Sequence, residues 1–329
     1  MSKKTSAEAV CVVTGAAGFV GSHLCERLLG LGCRVMGVDN FFSGRWENLT
    51  PFRDHPRFSF LERSVTEPGL LREIAAEHGP LACVFHLAAI VSVPYSVDHP
   101  EETWAVNYQS TIGLLQEAGR LGCARFVFAG SAAEYGDDAR LPLRESYAGD
   151  QTSWLSPYGE AKYRSSRAVA ACGDGPRGVA LRCFNIFGPR QDPSSPYSGV
   201  ISRFAEMAVR GEALTIFGDG HQSRDFVYVS DVVDAYCRAA GLVASAPEVP
   251  AGIYNVGSGT RTTILELARM ILSLTERGES IRFYAERPGD IRHSVACIDA
   301  IQAVMAWRPR VSLEEGLRET LRWMQSQGA

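Results

Sequence analysis

Residues 9–21 read Ala-Val-Cys-Val-Val-Thr-Gly-Ala-Ala-Gly-Phe-Val-Gly, and this stretch decides the fold. Its first six residues form an apolar run that predicts a strand, and a helical pattern begins directly after Gly21. The glycines at positions 15, 18 and 21 allow a tight turn, close approach of the backbone to a diphosphate, and close packing of helix against sheet. The N-terminus of the helix then faces the phosphates. The stretch therefore predicts a dinucleotide-binding turn.

Strands and helices alternate through the first half of the chain. Further strands are predicted at residues 34–39, 57–61, 82–88, 125–129 and 179–187, and helices at 22–31, 70–77, 102–121 and 157–171. This alternation predicts an α/β fold with a doubly wound parallel sheet of Rossmann type.

The pattern loosens after Gly188. There we predict helices at residues 199–210, 264–275 and 313–325, with short strands at 214–217 and 226–229. We expect residues 1–188 to form the dinucleotide-binding domain. Residues 189–329 are expected to form mainly a smaller α/β substrate lobe, with some late elements returning to the first domain.

The composition argues against several classes of protein. Apolar residues make up 46% of the 329 residues and the net charge is −4, so no basic excess indicates a nucleic-acid partner. The longest apolar runs are too short to span a bilayer, and residues 1–8 contain no apolar secretion segment. The nine cysteines lack metal-ligand spacing and are expected to be small core residues. We expect a cytoplasmic protein without a metal site or a membrane partner.

Asp39 ends the second predicted strand, eighteen residues after Gly21. A carboxylate there accepts hydrogen bonds from the ribose hydroxyls of an adenosine and repels a 2′-phosphate. The cofactor is therefore predicted to be NAD and not NADP.

Tyr158 and Lys162 lie four residues apart, on one face of a predicted helix that Ser156 and Pro157 begin. Lys162 is conspicuous because the other two lysines are Lys3 and Lys4 and every remaining basic residue is Arg. A cation beside the phenol, together with the charge of a nicotinamide, is expected to lower the pKa of Tyr158 toward neutrality. Ser131, at the end of a strand, is placed to polarise a substrate oxygen beside Tyr158.

These motifs together resemble the extended short-chain dehydrogenase/reductase family, in its NAD-dependent epimerase/dehydratase group. Further stretches narrow the resemblance to UDP-hexose 4-epimerases. They are Phe85-His-Leu-Ala-Ala89, Ser131-Ala-Ala-Glu-Tyr135-Gly136, Arg182-Cys-Phe-Asn185, Arg224-Asp-Phe-Val-Tyr228 and Arg287-Pro-Gly-Asp290. Two longer stretches, Phe184-Asn-Ile-Phe-Gly-Pro-Arg-Gln-Asp-Pro193 and Arg287-Pro-Gly-Asp-Ile-Arg-His-Ser294, resemble the UDP-N-acetylglucosamine branch.

The resemblance implies a mechanism in which Tyr158 takes the proton of the sugar 4-hydroxyl while the C4 hydride passes to bound NAD. The 4-keto sugar then turns over and receives the hydride on its other face. Ser131 would bond O4, and Lys162 would bind the nicotinamide ribose. Family members are commonly homodimers, which implies an interface formed here by residues 102–121 and 157–171.

The resemblance also implies the binding residues. Cofactor contacts are expected from Gly15, Gly18, Phe19, Val20, Gly21, Asp39, Asn40, Ser43, Gly44, Ser64, Val65, Leu87, Ala88, Ala89, Asn107, Tyr158 and Lys162. Substrate contacts are expected from Ser92, Ser131, Ala132, Tyr158, Asn185, Val200, Thr215, Phe217, Arg224, Arg287, Asp290 and Ser294. Within the second set, Asn185, Arg224 and Arg287 would face the diphosphate, Asp290 the uridine ribose, and Thr215 and Phe217 the uracil.

The substrate and the reaction leave alternatives. In this family a small residue at the position of Ser294 admits a 2-acetamido group, which favours UDP-GlcNAc and UDP-GalNAc, but UDP-glucose and UDP-galactose remain open. A UDP-glucuronate 4-epimerase is the main rival, with Arg190 or another arginine pairing with the sugar carboxylate. A sugar-nucleotide 4,6-dehydratase would need an Asp-Glu pair where Ala132 and Ala133 stand. A regulator that binds NAD without catalysis is the non-enzymatic alternative.

Overall fold

The computed structural model describes residues 9–193, 199–276, 278, 280–286 and 291–327. Its strands in the described residues are β1 Val10–Thr14, β2 Arg34–Asp39, β3 Phe58–Glu62, β4 Leu81–His86, β5 Arg125–Ser131, β6 Arg177–Cys183, β7 Asn185–Phe187, β8 Leu214–Phe217, β9 Ser223–Arg224, β10 Phe226–Tyr228, β11 Gly252–Val256, β12 Thr262–Thr263 and β13 Ile281–Tyr284. Its helices are α1 Phe19–Gly30, α2 Leu70–His78, α3 Val93–Asp98, α4 Pro100–Trp104, α5 Ser110–Arg120, α6 Pro157–Ala170, α7 Val200–Arg210, α8 Val229–Ala239, α9 Ile264–Leu274, α10 Asp299–Met305 and α11 Leu313–Ser326.

The main sheet has seven strands in the order β3-β2-β1-β4-β5-β6-β11. Every neighbouring pair is parallel. Such a sheet is covered on both faces, which explains why its inner strands are almost continuous apolar runs. The predicted α/β class and doubly wound parallel sheet are confirmed.

Two apolar clusters cover the two faces of this sheet. Leu24 and Leu28 of α1 lie in one cluster, together with Tyr236 of α8 and Trp307 after α10. The other cluster contains residues of α2, α5 and α6, among them Leu70. Because β1 pairs with both β2 and β4, the chain reverses its winding direction there and opens a crevice at the carboxyl ends of these strands.

Two boundaries differ from the predicted pattern. The strand predicted at residues 179–187 is in fact two strands, because the chain changes its partner there: the Phe184 N–H donates to the Val256 carbonyl (2.9 Å) of β11, whereas the Asn185 N–H donates to the Asp225 carbonyl (3.1 Å). After this interruption, β7 leaves the main sheet and pairs with β10. The helix predicted at 102–121 begins at Pro100 and contains a π-helical segment, Ala105–Gln109, between α4 and α5.

The later elements form small two-stranded sheets, β7 with β10, β8 with β13 and β9 with β12. Helices α7, α9 and α11 pack around a third apolar cluster beside them. The sequence pattern did not predict β11, which returns to the edge of the main sheet beside β6. The division at residue 188 stays a prediction, as does a homodimer. In the part of the chain that the structure describes, no helix is long and apolar enough to cross a membrane.

Candidate active site

A cavity of about 530 Å³ occupies the crevice at the carboxyl ends of β1 and β4. Thirteen of the residues predicted to bind the cofactor line it: Gly15, Gly18, Phe19, Val20, Gly21, Asp39, Asn40, Ser43, Ser64, Val65, Leu87, Ala88 and Ala89. The tertiary structure therefore gathers into one concave site residues that the sequence spreads over seventy-five positions.

The glycines of the turn have a steric reason for being there. Gly15 has φ +71°, and a Cβ on it would lie 2.8 Å from the Ala88 nitrogen. A Cβ on Gly21 would lie 1.9 Å from the Gly15 carbonyl oxygen, closer than any real contact. The turn can therefore stay this tight only with glycine at both positions, and it leaves the N-terminus of α1 open to the cavity.

Asp39 is buried at the end of β2, and backbone groups fix its carboxylate. Oδ2 accepts from the Ala17 N–H (2.9 Å) and Oδ1 from the Phe41 N–H (2.8 Å). Burial raises the pKa of Asp39, while these backbone donors oppose the rise. A Cβ on Gly44 would lie 2.9 Å from Oδ1, so Gly44 makes room for this carboxylate without lining the cavity.

The residues present fit a dinucleotide. The glycine turn leaves space that a Cβ would fill, the helix N-terminus favours a diphosphate, and a fixed carboxylate lines the same cavity. When bound, NAD would be held by the turn at residues 15–21 and by Asp39.

Two buried polar residues, Asn107 and His86, make hydrogen bonds to the chain that surrounds this cavity. The Asn107 amide accepts from the Ile90 N–H and donates to the Ile90 carbonyl, both at 2.8 Å, and so holds the loop after β4. His86 contacts the Thr14 hydroxyl (2.8 Å) and the Thr111 hydroxyl (3.0 Å) with its two ring nitrogens. Burial, followed by the charge of Lys162, lowers the pKa of His86 to about 3. His86 is thus a neutral residue of the core.

Tyr158 and Lys162 lie together on the buried face of α6. Ser156 accepts from the Gly159 N–H (3.2 Å) and Pro157 stands in the first turn, so α6 begins where the sequence predicted. The Lys162 ammonium donates to the Ala129 carbonyl (2.9 Å) of β5 and lies 6.0 Å from the centre of the Tyr158 ring. The Tyr158 hydroxyl is hydrogen-bonded to Ser131 at the end of β5.

Burial shifts the pKa values of both members of this pair. Burial raises the pKa of Tyr158 to about 12, and the hydrogen bond from Ser131 offsets only part of that rise. Burial also lowers the pKa of Lys162 to about 8. Removal of water therefore dominates in the protein without cofactor. The expected lowering, which also counts on the charge of a bound nicotinamide, stays a prediction for the protein with NAD.

Glu134 is a buried residue whose role the sequence did not reveal. Oε1 accepts from the Ser131 N–H (2.9 Å) and from the Ser166 hydroxyl (2.8 Å), while Oε2 pairs with the Arg182 guanidinium. Both members of this ion pair are at least 99% buried. Glu134 therefore fixes the backbone of Ser131, and it is already fully paired.

Three of the predicted substrate residues, Asn185, Arg224 and Ser294, lie together at residues 223–225. The Asn185 amide donates to the Asp225 carbonyl (3.1 Å), and the Ser294 N–H donates to the Ser223 carbonyl (3.1 Å). Arg224 lies between these two acceptors, on β9.

Thr215 and Phe217 lie on β8, and the Gln222 amide donates to the Phe217 carbonyl (2.6 Å), which joins β8 to this group. Val200 is the first residue of α7. Ser92 is a buried helix cap that accepts from the Tyr95 N–H, and Ala132 follows Ser131 in a 3-10 turn. Arg287 and Asp290 lie outside the described residues.

Several residues that line the cofactor cavity were not predicted. Arg45 and Asn48 follow β2, and residues 190–192 follow β7. Residues 190–192 belong to a stretch that the sequence associates with the sugar nucleotide, and only the path of the chain after β7 brings them to a cavity built from the first strands.

Comparison with known proteins agrees with this architecture. A model of the NAD dependent epimerase/dehydratase family matches residues 11–257. The chain is 34% identical over 328 residues to the UDP-glucose 4-epimerase of Mycolicibacterium smegmatis, covering 96% of this chain and 98% of that protein. It is 35% identical over 313 residues to UDP-glucuronic acid decarboxylase 1 of Arabidopsis thaliana, covering 93% of this chain and 67% of that protein.

Among solved structures, the UDP-N-acetylglucosamine 4-epimerase of Methanobrevibacter ruminantium in complex with UDP-N-acetylmuramic acid has a TM-score of 0.89 and 34% identity. That comparison covers 97% of this chain and 99% of the other. The family resemblance and the NAD cofactor expected from the sequence are thereby confirmed. The chain belongs to the NAD-dependent epimerase/dehydratase family and is an NAD-dependent enzyme.

Proposed function

We propose that this enzyme is a UDP-sugar 4-epimerase that interconverts UDP-GlcNAc and UDP-GalNAc, and also accepts UDP-glucose and UDP-galactose. The main support is the arrangement of Ser131, Tyr158 and Lys162 on β5 and α6, where Ser131 ends the strand at the carboxyl edge of the sheet. A phenol, a hydroxyl and an ammonium in this arrangement suit reversible proton transfer at a sugar hydroxyl.

The chain's own residues have distinct tasks in this reaction. Tyr158 removes the proton of the sugar 4-hydroxyl and later returns it, and Ser131 holds the same oxygen by a hydrogen bond. When bound, NAD supplies the acceptor for the C4 hydride and places a positive charge near the phenol. Burial of Tyr158 and Lys162 excludes water, which protects the 4-keto sugar from side reactions.

The positions after Ser131 argue against a dehydratase. Ala132 and Ala133 provide neither the acid nor the base that elimination of water needs. The next residue, Glu134, is buried and paired with Arg182. A dehydration would therefore lack its proton donor and acceptor, whereas epimerisation needs a single proton-transfer residue, Tyr158.

The preference for an acetamido sugar is supported by Ser294. This buried side chain is small and is held beside Arg224 through the bond of its N–H to Ser223. In the UDP-hexose 4-epimerases that the chain resembles, a bulky residue at this position closes the sugar pocket. The small side chain of Ser294 thus leaves room for a 2-acetamido group on the sugar.

The rival hexuronate substrate needs a cation beside the sugar. Arg190, the residue considered for that role, lines the cofactor cavity and pairs with Glu26 of α1 (2.5 Å). These contacts favour a role of Arg190 toward the cofactor, which leaves another arginine as the partner that a sugar carboxylate would need. Because one relative is a UDP-glucuronic acid decarboxylase, UDP-glucuronate is included in the test below.

The decisive measurement is proton NMR of the purified protein, without and then with added NAD. The protein is incubated separately with UDP-GlcNAc, UDP-GalNAc, UDP-glucose and UDP-glucuronate. Appearance of the C4 epimer from UDP-GlcNAc or UDP-GalNAc is expected. Conversion of only UDP-glucose or UDP-glucuronate would contradict the substrate assignment, and loss of carbon dioxide from UDP-glucuronate would identify a decarboxylase. No conversion of any of the four would contradict the proposal and favour a binding role.

Tyr158→Phe tests the catalytic assignment, with Tyr163→Phe on the same helix as the matched control. Tyr163 is also buried, but its hydroxyl faces Asp150 (3.0 Å). We expect Tyr158→Phe to lower turnover by roughly 10²–10⁴-fold, the usual contribution of a general acid–base residue. Binding of NAD and UDP-sugar should persist, and Tyr163→Phe should retain turnover. Unchanged turnover in Tyr158→Phe would overturn the assignment.

A further inference from the structure

A short segment, residues 189–192, connects the main sheet to the lobe and also lies over the cofactor cavity. We name it the strap. It follows β7, and its residues Arg190, Gln191 and Asp192 line the cavity together with the glycine turn. The rest of that lining comes from residues 15–106, so the strap is the one contribution from the second half of the described chain.

The strap is attached on two sides of the cavity. On the side of α1, His23 Nε2 lies 2.9 Å from the Pro189 carbonyl, and Arg190 Nη2 lies 2.5 Å from Glu26. On the other side, Asp192 lies 2.9 Å from Arg45, which lies between β2 and β3. Each ion pair is partly exposed and is therefore individually weak, but together they hold the strap across the cavity.

Arg190 has two features that protein contacts alone do not explain. Its backbone is in the left-handed region, with φ +68°, which is unfavourable for a residue with a Cβ. The Arg190 side chain is only 13% exposed. Its Nη1 atom is buried and has no hydrogen-bond partner among the residues that the structure describes. A buried guanidinium nitrogen left without an acceptor is costly. Strain and an unpaired donor in one residue indicate a missing acceptor.

The chemistry of the cavity identifies that acceptor. Arg190 shares the lining with Gly15, Gly18 and Gly21, where the N-terminus of α1 favours negative charge. The guanidinium is the side chain best suited to phosphate oxygens, because it donates several hydrogen bonds in a fixed plane. Glu26 already occupies Nη2, which leaves Nη1 for a ligand.

We propose that Arg190 donates through Nη1 to the diphosphate of bound NAD, and that the strap thereby retains the cofactor in its cavity. Retention matters for an enzyme that transfers a hydride out of the sugar and back within one turnover, because the cofactor must stay bound between the two steps. The inference depends on NAD as the cofactor and not on which sugar is the substrate.

Arg190→Gln tests the proposal, and Glu26→Gln is the matched control. Glu26→Gln breaks the ion pair of the strap but leaves Nη1 able to donate. We expect Arg190→Gln to raise the Kd of NAD by roughly 10–100-fold, as for loss of a hydrogen bond to a charged group. Glu26→Gln should raise it by less than about 3-fold. The measurements are calorimetric titration with NAD and with ADP-ribose, and the NAD content of each protein after dialysis.

Binding of UDP, which the proposed function places in the lobe and away from Arg190, serves as the readout of folding together with the midpoint of urea unfolding. It should be unchanged in both variants. An unchanged affinity of Arg190→Gln for NAD would overturn the proposal. Equal losses in Arg190→Gln and Glu26→Gln would also overturn it, because Arg190 would then act only by anchoring the strap. Neither result depends on turnover of any sugar, so a wrong substrate assignment would not affect the test.

Discussion

Replacing Lys162 by Met removes a charge that the fold buries between α6 and β5. The side chain is 2% exposed, and burial lowers its pKa from 10.5 to about 8. The ammonium also donates to the Ala129 carbonyl (2.9 Å), a bond that Met cannot make. Met is close to Lys in length and apolar, so it fills the same space without the charge.

The magnitude follows from the difference between the folded and unfolded pKa values. A decrease of about 2.5 pK units corresponds to about 3 kcal/mol of unfavourable free energy for the protonated native state. The lost bond to Ala129 costs about 1–3 kcal/mol in the variant. At neutral pH these two effects oppose each other, so Lys162→Met is expected to fold with a stability equal to or up to about 2 kcal/mol above that of the parent protein.

The pH dependence separates the two effects. The folded pKa of Lys162 lies below the unfolded value, so between pH 8 and 10.5 the unfolded chain binds more protons than the native protein. Raising the pH through this range therefore stabilises the parent protein. The variant has no such group. The free energy of unfolding of the parent should rise by about 3 kcal/mol relative to Lys162→Met over this range.

The assay is urea unfolding without cofactor, with reductant present, at intervals between pH 7 and 10.5. Arg164→Met is the matched control, because Arg164 is an exposed cation on the same helix that stays charged throughout. Its difference from the parent should not change with pH. A difference between parent and Lys162→Met that is constant with pH would refute the reasoning, since it would show that the buried ammonium has an ordinary pKa.

Two other changes have clear expected outcomes. Glu134→Ala leaves the Arg182 charge buried without a partner, so it should destabilise the protein by about 3–5 kcal/mol in urea unfolding. The double variant with Arg182→Met should recover part of that loss, and no recovery would contradict the pairing. Ser294→Tyr should reduce kcat/KM for UDP-GlcNAc much more than for UDP-glucose in the NMR assay. Equal reductions would show that Ser294 does not face the sugar.

The sequence predicted those parts of the site that depend on local geometry. Gly15 and Gly21 are necessary because a Cβ at either position would collide with the backbone nearby. Tyr158 and Lys162 share a helical face because of the 3.6-residue period of an α-helix, and Ser156 fixes where that helix begins. These features involve residues close together in the chain, where spacing alone determines the arrangement.

Other features depend on contacts between distant residues. Glu134 lies three residues after Ser131, and the 3-10 turn between them brings its carboxylate back to the Ser131 N–H and to Arg182 of β6. The return of β11 to the edge of the main sheet likewise has no signal in its five residues. The raised pKa of Tyr158 comes from the burial that packing creates.

The sequence by itself determined the α/β class, the glycine turn with Asp39, and the presence of Tyr158 and Lys162 on one helix. Only the tertiary structure decided that the strap returns to the cofactor cavity. It also decided that Arg190 Nη1 is buried there without a hydrogen-bond partner among the described residues. The physical reason is the distance along the chain over which each interaction acts. Steric limits and helical periodicity act over a few residues, whereas burial, charge pairing and the path of a connecting segment are set by contacts between parts of the chain that the sequence does not place together.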